Sequence, residues 1–169
     1  MTMVDNADLV AQVAALSTKV RELEAVRELT RLRYAFHHHL NNQDWDCLGA
    51  LFATDALLDY GSFGHARGRA AIQDYYSSLL PKMVELQGAT NVVLKNFSHM
   101  PDVTVNGDRA HGVSFFEEYV RFDRQDVVHQ SVGRFTDSYA LIDGQWLFER
   151  VELDHYWVVP ENKEWRWPW

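Results

Sequence analysis

A carboxylate and an imidazole occupy positions from which they could act together as an acid–base pair. Glu118 and His129 flank the dipeptide Asp123-Arg124, which is typical of a hairpin turn between alternating strands. With a two-residue turn, Glu118 lies directly opposite His129, and such neighbours have Cβ atoms roughly 5 Å apart. A carboxylate that holds an imidazole is a competent general base. The alternative is an ordinary ion pair near a hairpin tip, and a β-bulge would break the pairing.

The run His37-His38-His39 is a second concentration of titratable side chains. It lies in a segment with helical periodicity, where consecutive side chains point about 100° apart, so the three imidazoles cannot converge on one ion. The chain has no HExxH or comparable spacing, and we predict no metal. His37 shares a helix face with Tyr34 and Asn41 and could reach a pocket. The alternatives are that a slight rotation presents His38 instead, or that the run is a polar face of a buried helix.

Helical periodicity dominates the first half of the chain and strand alternation the second. Helical patterns cover Leu9 to about Asn41, the segment DWDCLGALFA, and RAAIQDYYSSLLPKM, which holds Pro81 near its end. A short strand, ALLDYG, and a glycine-rich turn precede the last of these. Four long strands follow: ATNVVLKNFSHMPDVTV, RAHGVSFFEEYVRF, VVHQSVGRFTDSYALI and QWLFERVELDHYWVV. This order predicts one α+β domain, in which helices and a curved antiparallel or mixed sheet enclose a cone-shaped cavity.

Bulk composition limits the possible functions. The 169 residues, of which 47% are apolar, suit one domain with one core. The formal net charge of −8 argues against nucleic acid and anionic membranes as partners. Cys47 is the only cysteine, which excludes an internal disulfide or a cysteine-based zinc framework. We expect a cytoplasmic protein, because no apolar run reaches the ~20 residues of a membrane span and no signal-peptide pattern opens the chain.

Both ends of the chain carry apolar residues beyond the main pattern. The N-terminal extension, residues 1–25, has a short heptad seam with spacings of four and three: Leu9, Val13, Leu16, Val20 and Leu23. This segment either lies along its own domain or contacts a neighbouring subunit. The tail, residues 160–169, carries Trp165, Trp167 and Trp169. We expect these indoles to pack on the pocket mouth or on another subunit, which suggests a homo-oligomer.

Several motifs together resemble the NTF2-like, SnoaL-like superfamily. LNNQDWDCLGALFATDALLDYGSFG is similar to scytalone dehydratases, in its DWD and in the DYxSF pattern that follows. VRELEAVRELTRLRYAF and DSYALIDGQWLFE resemble bile acid 7α-dehydratases, and GRAAI resembles SnoaL-like polyketide cyclases. The resemblance covers about residues 16–157. It implies an NTF2-like α+β barrel fold and an enzyme that acts on a small molecule without a cofactor. In the dehydratase branch it also implies a homotrimer, while a dimer remains the alternative.

The resemblance also identifies pocket positions, two of which depart from the dehydratase pattern. The Asp at the end of the long helix matches Asn41, and the acid–base His of the first sheet strand matches Asn96. An amide binds a substrate oxygen but cannot shuttle a proton. The pocket tyrosine is kept as Tyr60, while Phe36 replaces a helical tyrosine. An acidic position in the sheet matches Glu118, so its face is expected to line the cavity.

The three polar residues Asn41, Asn96 and Tyr60 are typical of a clamp that polarises a carbonyl or phenolate oxygen. Each asparagine has a structural alternative, as a helix C-cap or as a cap at a strand bulge. Alternation points one further candidate, His99, away from this face. The substrate-binding candidates, which are otherwise aromatic, are Tyr34, Phe36, Phe116, Phe135 and His99.

These residues favour a cofactor-independent lyase that acts on a neutral aromatic or polycyclic molecule. His129 backed by Glu118, or else His37, removes a proton while the clamp stabilises charge on oxygen. Water or a small carbonyl fragment such as formaldehyde then leaves. The alternative enzyme is an isomerase or polyketide cyclase, from which nothing leaves. A non-catalytic binding protein is the competing class, because two asparagines replace the catalytic Asp and His.

Overall fold

The computed structural model describes residues 6–124 and 128–160. Its helices are α1 (Asn6–Asn42), α2 (Trp45–Ala50) and α3 (Arg69–Leu86), with a 3₁₀ turn at Gly61–Phe63. Neither α1 nor any other helix in these ranges combines the length and the hydropathy that a membrane span requires. The expected packing of Trp165, Trp167 and Trp169 lies outside the described residues.

The strands form one six-stranded mixed sheet. They are β1 (Phe52–Asp59), β2 (His65–Arg67), β3 (Val92–Asn106), β4 (Arg109–Phe122), β5 (Val128–Ile142) and β6 (Gln145–Pro160). Their order is β2-β1-β6-β5-β4-β3, with β1 parallel to β6 and the other neighbours antiparallel. Helices packed on an open mixed sheet confirm the predicted α+β class, and the four long strands appear where alternation predicted them.

The short elements differ most from their sequence-based predictions. Strand β1 starts at Phe52, because α2 ends at Ala50 rather than continuing through the apolar run that follows. The glycine-rich segment contains β2, which pairs with β1 through Leu58 and Ala66. Helix α3 continues past Pro81 to Leu86. A three-residue edge strand and a helix that tolerates proline have weak sequence signals, which explains these differences.

Helix α1 joins the domain through one buried stripe on its second half. Its buried residues are Ala25, Leu29, Arg33, Phe36, His37 and Leu40. Their spacing of three to four residues keeps them on one face, which packs on the sheet and on aromatic residues such as Phe52 and Phe148. Every residue from Asn6 to Glu24 is exposed. The position of α1 therefore depends entirely on this second half.

The strongest polar contact in this stripe is a buried ion pair between Arg33 and Asp137 of β5. The Arg33 Nε donates to Asp137 Oδ2 at 3.0 Å, a second guanidinium nitrogen binds Oδ1, and the Tyr139 hydroxyl donates to Oδ2 at 2.8 Å. The guanidinium also lies over the rings of Phe36 and Phe135, at 4.7 and 4.3 Å from their centroids. Burial lowers the pKa of Arg33, but Asp137 together with the neighbouring Tyr139 and Tyr60 raises it above its ordinary value. Burial raises the pKa of Asp137, and Arg33 and the Tyr139 hydroxyl oppose that rise.

Replacing Arg33 by methionine should destabilise the protein, because it leaves the Asp137 carboxylate buried without its counter-charge. We expect the free energy of unfolding to fall by about 3–5 kcal/mol. The double variant Arg33→Met/Asp137→Leu should recover part of this loss, since it removes both charges. Urea unfolding followed by circular dichroism measures both. Equal losses in the single and double variants would contradict a coupled ion pair.

Candidate active site

A cavity of about 420 Å³ lies between α3 and one face of the sheet. It is lined by α3, the 3₁₀ turn and strands β3 to β6. Leu86, one of the lining residues, is exposed. Nine of the seventeen lining residues are apolar, and the other eight carry polar groups from several elements: Tyr60, Tyr75, Lys82, Gln87, Glu118, His129, Ser131 and His155. A cavity of this size with an apolar wall and converging polar groups is typical of a small-molecule site.

The central polar group is the Glu118 carboxyl, which receives hydrogen bonds from both neighbouring strands. Asn96 of β3 and Ser131 of β5 are its direct cross-strand partners. Asn96 Nδ2 donates to Glu118 Oε2 at 3.0 Å, and Ser131 Oγ donates to Oε1 at 3.0 Å. Both donors are neutral, so they orient the carboxyl without neutralising its charge.

The predicted pairing of Glu118 with His129 is wrong. Five residues, 123–127, separate β4 from β5, instead of the two of a tight turn, and the register moves by two positions. Ser131 consequently lies opposite Glu118, while His129 lies opposite Val120. A shift of two preserves side-chain parity, and both Glu118 and His129 still line the cavity. The predicted face was therefore correct and the predicted partner was not.

Burial makes the Glu118 carboxyl a weaker acid than a carboxyl group in water. Desolvation by its apolar surroundings raises the pKa of Glu118, and the hydrogen bonds from Asn96 and Ser131 only partly oppose this shift. A carboxylate with a raised pKa is a stronger base than one in water. Such a group is suited to general acid–base catalysis.

Asn96, Glu118 and Ser131 form a hydrogen-bonded row across three strands. His37 lies next to this row, in the buried second half of α1. It is 5% exposed and packs against Phe36 and Phe135. Burial first, and the charge of Arg33 second, hold the pKa of His37 well below its usual range, so the imidazole is neutral. Asn96 adjoins His37, and the Asn96 Oδ1 atom has no hydrogen-bond partner within the described residues. Both ring nitrogens of His37 also lack a hydrogen-bond partner within these residues, and His37 does not line the cavity.

Asn41 acts on the backbone of β3 rather than pointing into the cavity. Its Nδ2 donates to the Asn96 carbonyl at 2.7 Å, and its Oδ1 accepts from the Asn96 N–H at 2.7 Å. The Asn41 side chain thus pairs with an edge residue as a neighbouring strand would. This arrangement corrects the interpretation of Asn41 and Asn96 as a joint clamp on substrate oxygen, because Asn41 is fully engaged with the protein.

Tyr60 belongs to a buried pair of phenols. Its hydroxyl forms a short hydrogen bond with that of Tyr76 on α3, and either oxygen can donate. Desolvation raises the pKa of Tyr60 far above its ordinary value, and that of Tyr76 likewise, so both remain protonated. Tyr75 stands beside them, and burial together with the charge of Glu118 raises its pKa to about 12. The cavity therefore offers neutral hydroxyl donors near the basic carboxyl.

His155 is a cavity residue that sequence reasoning did not assign. A bulge at Tyr156 shifts the β5–β6 register, so that Gly133 pairs with His155 while Val132 pairs with Trp157. His155 and Val158, three residues apart, consequently both line the cavity. Gly133 makes this packing possible, because a Cβ there would lie 2.3 Å from the Asp154 carbonyl oxygen.

The His155 imidazole is held between aromatic rings. It lies perpendicular to Phe116 at 5.3 Å and contacts Phe63 at 4.3 Å between ring centroids. Partial burial lowers the pKa of His155, which favours the neutral ring. No period-two pattern in the sequence could reveal its orientation, because the bulge changes parity within the strand.

The remaining substrate-binding candidates do not line the cavity. Tyr34 is 49% exposed on α1, which corrects its predicted orientation, because the buried stripe of the helix faces elsewhere. Phe36 and Phe135 are core residues that enclose the Arg33 guanidinium. Phe116 is also buried and reaches the site only through its contact with His155. His99 lies on the opposite face of β3, 3.6 Å from Glu117, as alternation indicated.

One surface cluster has the residue types of a metal site. Atoms of His39, Asp44 and Cys47 all lie within 4.8 Å of one another. Their contacts have a structural explanation, since Asp44 caps α2 by accepting from the Cys47 N–H and lies 3.3 Å from the His39 ring. Only one histidine of the consecutive run takes part, in keeping with helical geometry. This cluster contributes nothing to the cavity.

The fold and the cavity agree with the family to which the chain belongs. The SnoaL-like domain family matches residues 21–152, so the protein is a member of that family. A search of curated sequences gave no significant match.

Solved structures of the same fold include a dehydrochlorinase. A proposed scytalone dehydratase from Novosphingobium aromaticivorans is 22% identical, with 84% of this chain and 91% of that chain covered and a TM-score of 0.66. Hexachlorocyclohexane dehydrochlorinase from Novosphingobium barchaimii is 12% identical, with 89% and 99% covered and a TM-score of 0.72. An NTF2-like protein with a cystatin-like fold, also from N. aromaticivorans, is 21% identical, with 90% of each chain covered and a TM-score of 0.60. At these identities the likeness shows the fold alone.

Replacing Ser131 by alanine should raise the pKa of Glu118 further, because one donor that stabilises the carboxylate is lost. A hydrogen bond to a charged group contributes about 1.5 kcal/mol, and 1.36 kcal/mol corresponds to one pKa unit, so we expect a rise of about one unit. Carbon-detected NMR titration of the Glu118 carboxyl measures it. Ser114→Ala, on the same face of β4, is the matched control and should leave the pKa unchanged. A pKa unaffected by Ser131→Ala would contradict the hydrogen-bonded row.

Proposed function

We propose that this protein is a cofactor-independent lyase that acts on a neutral, largely aromatic small molecule. The observation that carries the proposal is the Glu118 carboxyl, held by two neutral donors inside an apolar cavity. Membership of the SnoaL-like family is consistent with the proposal. The fold also supports it, since the solved structures that share the fold include a dehydrochlorinase. The proposal replaces His129 with Glu118 as the acid–base group, because the observed register separates the two.

In the proposed reaction Glu118 removes a proton from the carbon next to the one that carries the leaving group. The electron pair of the broken C–H bond becomes a new double bond as the neighbouring C–O bond breaks. The departing oxygen takes a proton from solvent and leaves as water. Glu118 then returns its proton to solvent, which restores the starting state. Neither step needs a co-reactant other than the substrate and water.

Formaldehyde is the alternative leaving group for a substrate that carries a hydroxymethyl arm. In that case Glu118 removes the hydroxyl proton, the adjacent C–C bond breaks, and its electron pair is delocalised into the aromatic part of the substrate. The phenols at Tyr60 and Tyr75 are placed to donate to a substrate oxygen that accumulates this charge. The same groups serve either elimination, so the leaving group depends on the substrate.

The cavity walls support a neutral and apolar substrate. Leucine, methionine, valine and phenylalanine side chains make up most of the lining. An anionic group beside Glu118 would be repelled by the carboxylate, whereas an aromatic ring gains from burial at about 25 cal/mol per Å². Lys82 lies at the cavity wall on α3, where its ammonium donates to Ser78 at 3.0 Å. We propose no metal, cofactor or nucleic acid in the reaction.

The proposal is tested by incubating the protein with a panel of phenolic diols, hydroxylated polyketides and steroid-like enones and analysing the products by mass spectrometry. We expect a product lighter by water or by formaldehyde. Glu118→Gln should lower the rate by at least ~100-fold, since general base catalysis contributes about 10²–10⁴. Activity of the wild type should fall as the pH drops through the raised pKa of Glu118, because the proton-accepting form is then lost.

The matched control is Glu117→Gln, one residue away on the outer face, where Glu117 accepts from Tyr119 and Gln130. It should retain full activity. A product of unchanged mass but altered retention would indicate an isomerase or cyclase instead. Binding without turnover would establish a binding protein, and full activity of Glu118→Gln would contradict the assigned base.

A further inference from the structure

The first half of α1 is a long helix segment that is exposed along its whole length among the residues that the structure describes. An α-helix rises 1.5 Å per residue, so residues 6–24 extend roughly 28 Å. Its apolar side chains are between 51 and 69% exposed: Leu9, Val10, Val13, Leu16, Val20 and Leu23. Isolated helices of this length are marginal in water. Such a face is normally stabilised by contact with another surface.

The exposed apolar residues form a regular heptad seam. Starting with Asn6 at position a, the a positions continue with Val13 and Val20, and Leu9, Leu16 and Leu23 occupy the d positions. β-branched residues at a with leucine at d favour parallel two-stranded coiled coils over trimers. An asparagine at an a position likewise specifies register in such pairs. The sequence of this seam therefore favours a two-stranded, in-register pair.

The charges beside the seam agree with a parallel pair. Lys19 lies at position g and Glu24 at position e, five residues later. In a parallel pair, g of one helix faces the following e of the other, so Lys19 meets Glu24 of the second copy on both sides. The preceding g and e positions hold Gln12 and Ser17, which are uncharged. The flanking positions therefore contain complementary charges and no repulsive pair.

The position of the domain leaves this seam accessible. Ala25 and Leu29, which begin the buried stripe, lie on nearly the opposite side of the helix from the leucines, given ~100° per residue. Trp146 of β6 and Val105 of β3 flank the helix on that domain side, and Val105 also borders Leu23 at the C-terminal end of the seam, where Leu23 stays 69% exposed. Two α1 helices can consequently pair along the seam with each domain on the outside.

We propose that residues 6–24 form a parallel, in-register coiled coil with a second copy of this chain, making the protein a homodimer. The dimer forms through the seam of asparagine, valine and leucine described above. The cavity, which α3 and the sheet enclose, is separate from this seam. Failure of the dimer proposal would therefore leave the proposed function untouched, and the two can be tested apart.

Sedimentation velocity of the full chain tests the proposal across a concentration series. We expect twice the 19.6 kDa mass of one chain. Leu16→Glu/Leu23→Glu should raise the dissociation constant at least ~100-fold, because four charges would enter one seam. Ala11→Glu/Ala14→Glu, which adds equal charge to the same helix outside the seam, is the matched control and should remain dimeric. Both variants alter exposed residues, and circular dichroism checks that the domain stays folded.

Orientation is tested by Leu9→Cys/Cys47→Ser, whose single thiol lies in the seam. In a parallel, in-register pair the two Cys side chains adjoin, and mild oxidation should give a disulfide-linked dimer. A dimer that depends on Leu16 and Leu23 but does not crosslink would overturn the parallel arrangement. A monomer at all concentrations, a trimer, or an oligomer insensitive to the leucine substitutions would overturn the dimer itself.

Discussion

The buried ion pair between Arg33 and Asp137 is the constraint on which the rest of the structure depends. It crosses from the middle of α1 to the centre of β5, and each partner is almost completely removed from solvent. Two opposite charges at this depth tolerate little displacement, because each carries a desolvation cost that only the other offsets. The pair consequently fixes the rotation of α1. This rotation of α1 in turn directs the His37 side chain into the core and brings Asn41 against β3.

This constraint also separates two buried carboxyl groups with different roles. Asp137 has a guanidinium and a phenol hydroxyl beside it, which oppose the rise that burial gives its pKa. Glu118, on the adjacent strand, has only amide and hydroxyl donors. One environment compensates the charge and the other leaves it available for proton transfer. Contrasting environments of paired carboxyls commonly distinguish a reactive group from a supporting one.

The sequence predicted the regular parts of the structure well, since alternation located the four long strands and put Glu118, Ser131 and His129 on one face. The partner of Glu118 depends on the length of one loop, and the periodicity of the flanking strands does not determine that length. Helical spacing keeps His37, His38 and His39 from converging on one point. Helical spacing alone does not determine the rotation of α1, so the prediction that Tyr34 faces the pocket was wrong. That rotation is set by Arg33 and Asp137, which lie 104 residues apart.

His155 could not be predicted because one extra residue in β6, Tyr156, reverses the alternation beyond it. The same bulge allows His155 and Val158 to share a wall of the cavity. The composition of that wall is therefore set by strand length as well as by residue identity. Deleting one residue there would exchange the inner and outer sides of the strand end in a single step. Insertions and deletions at this bulge thus offer this protein a route to a new ligand preference that no series of point substitutions reproduces.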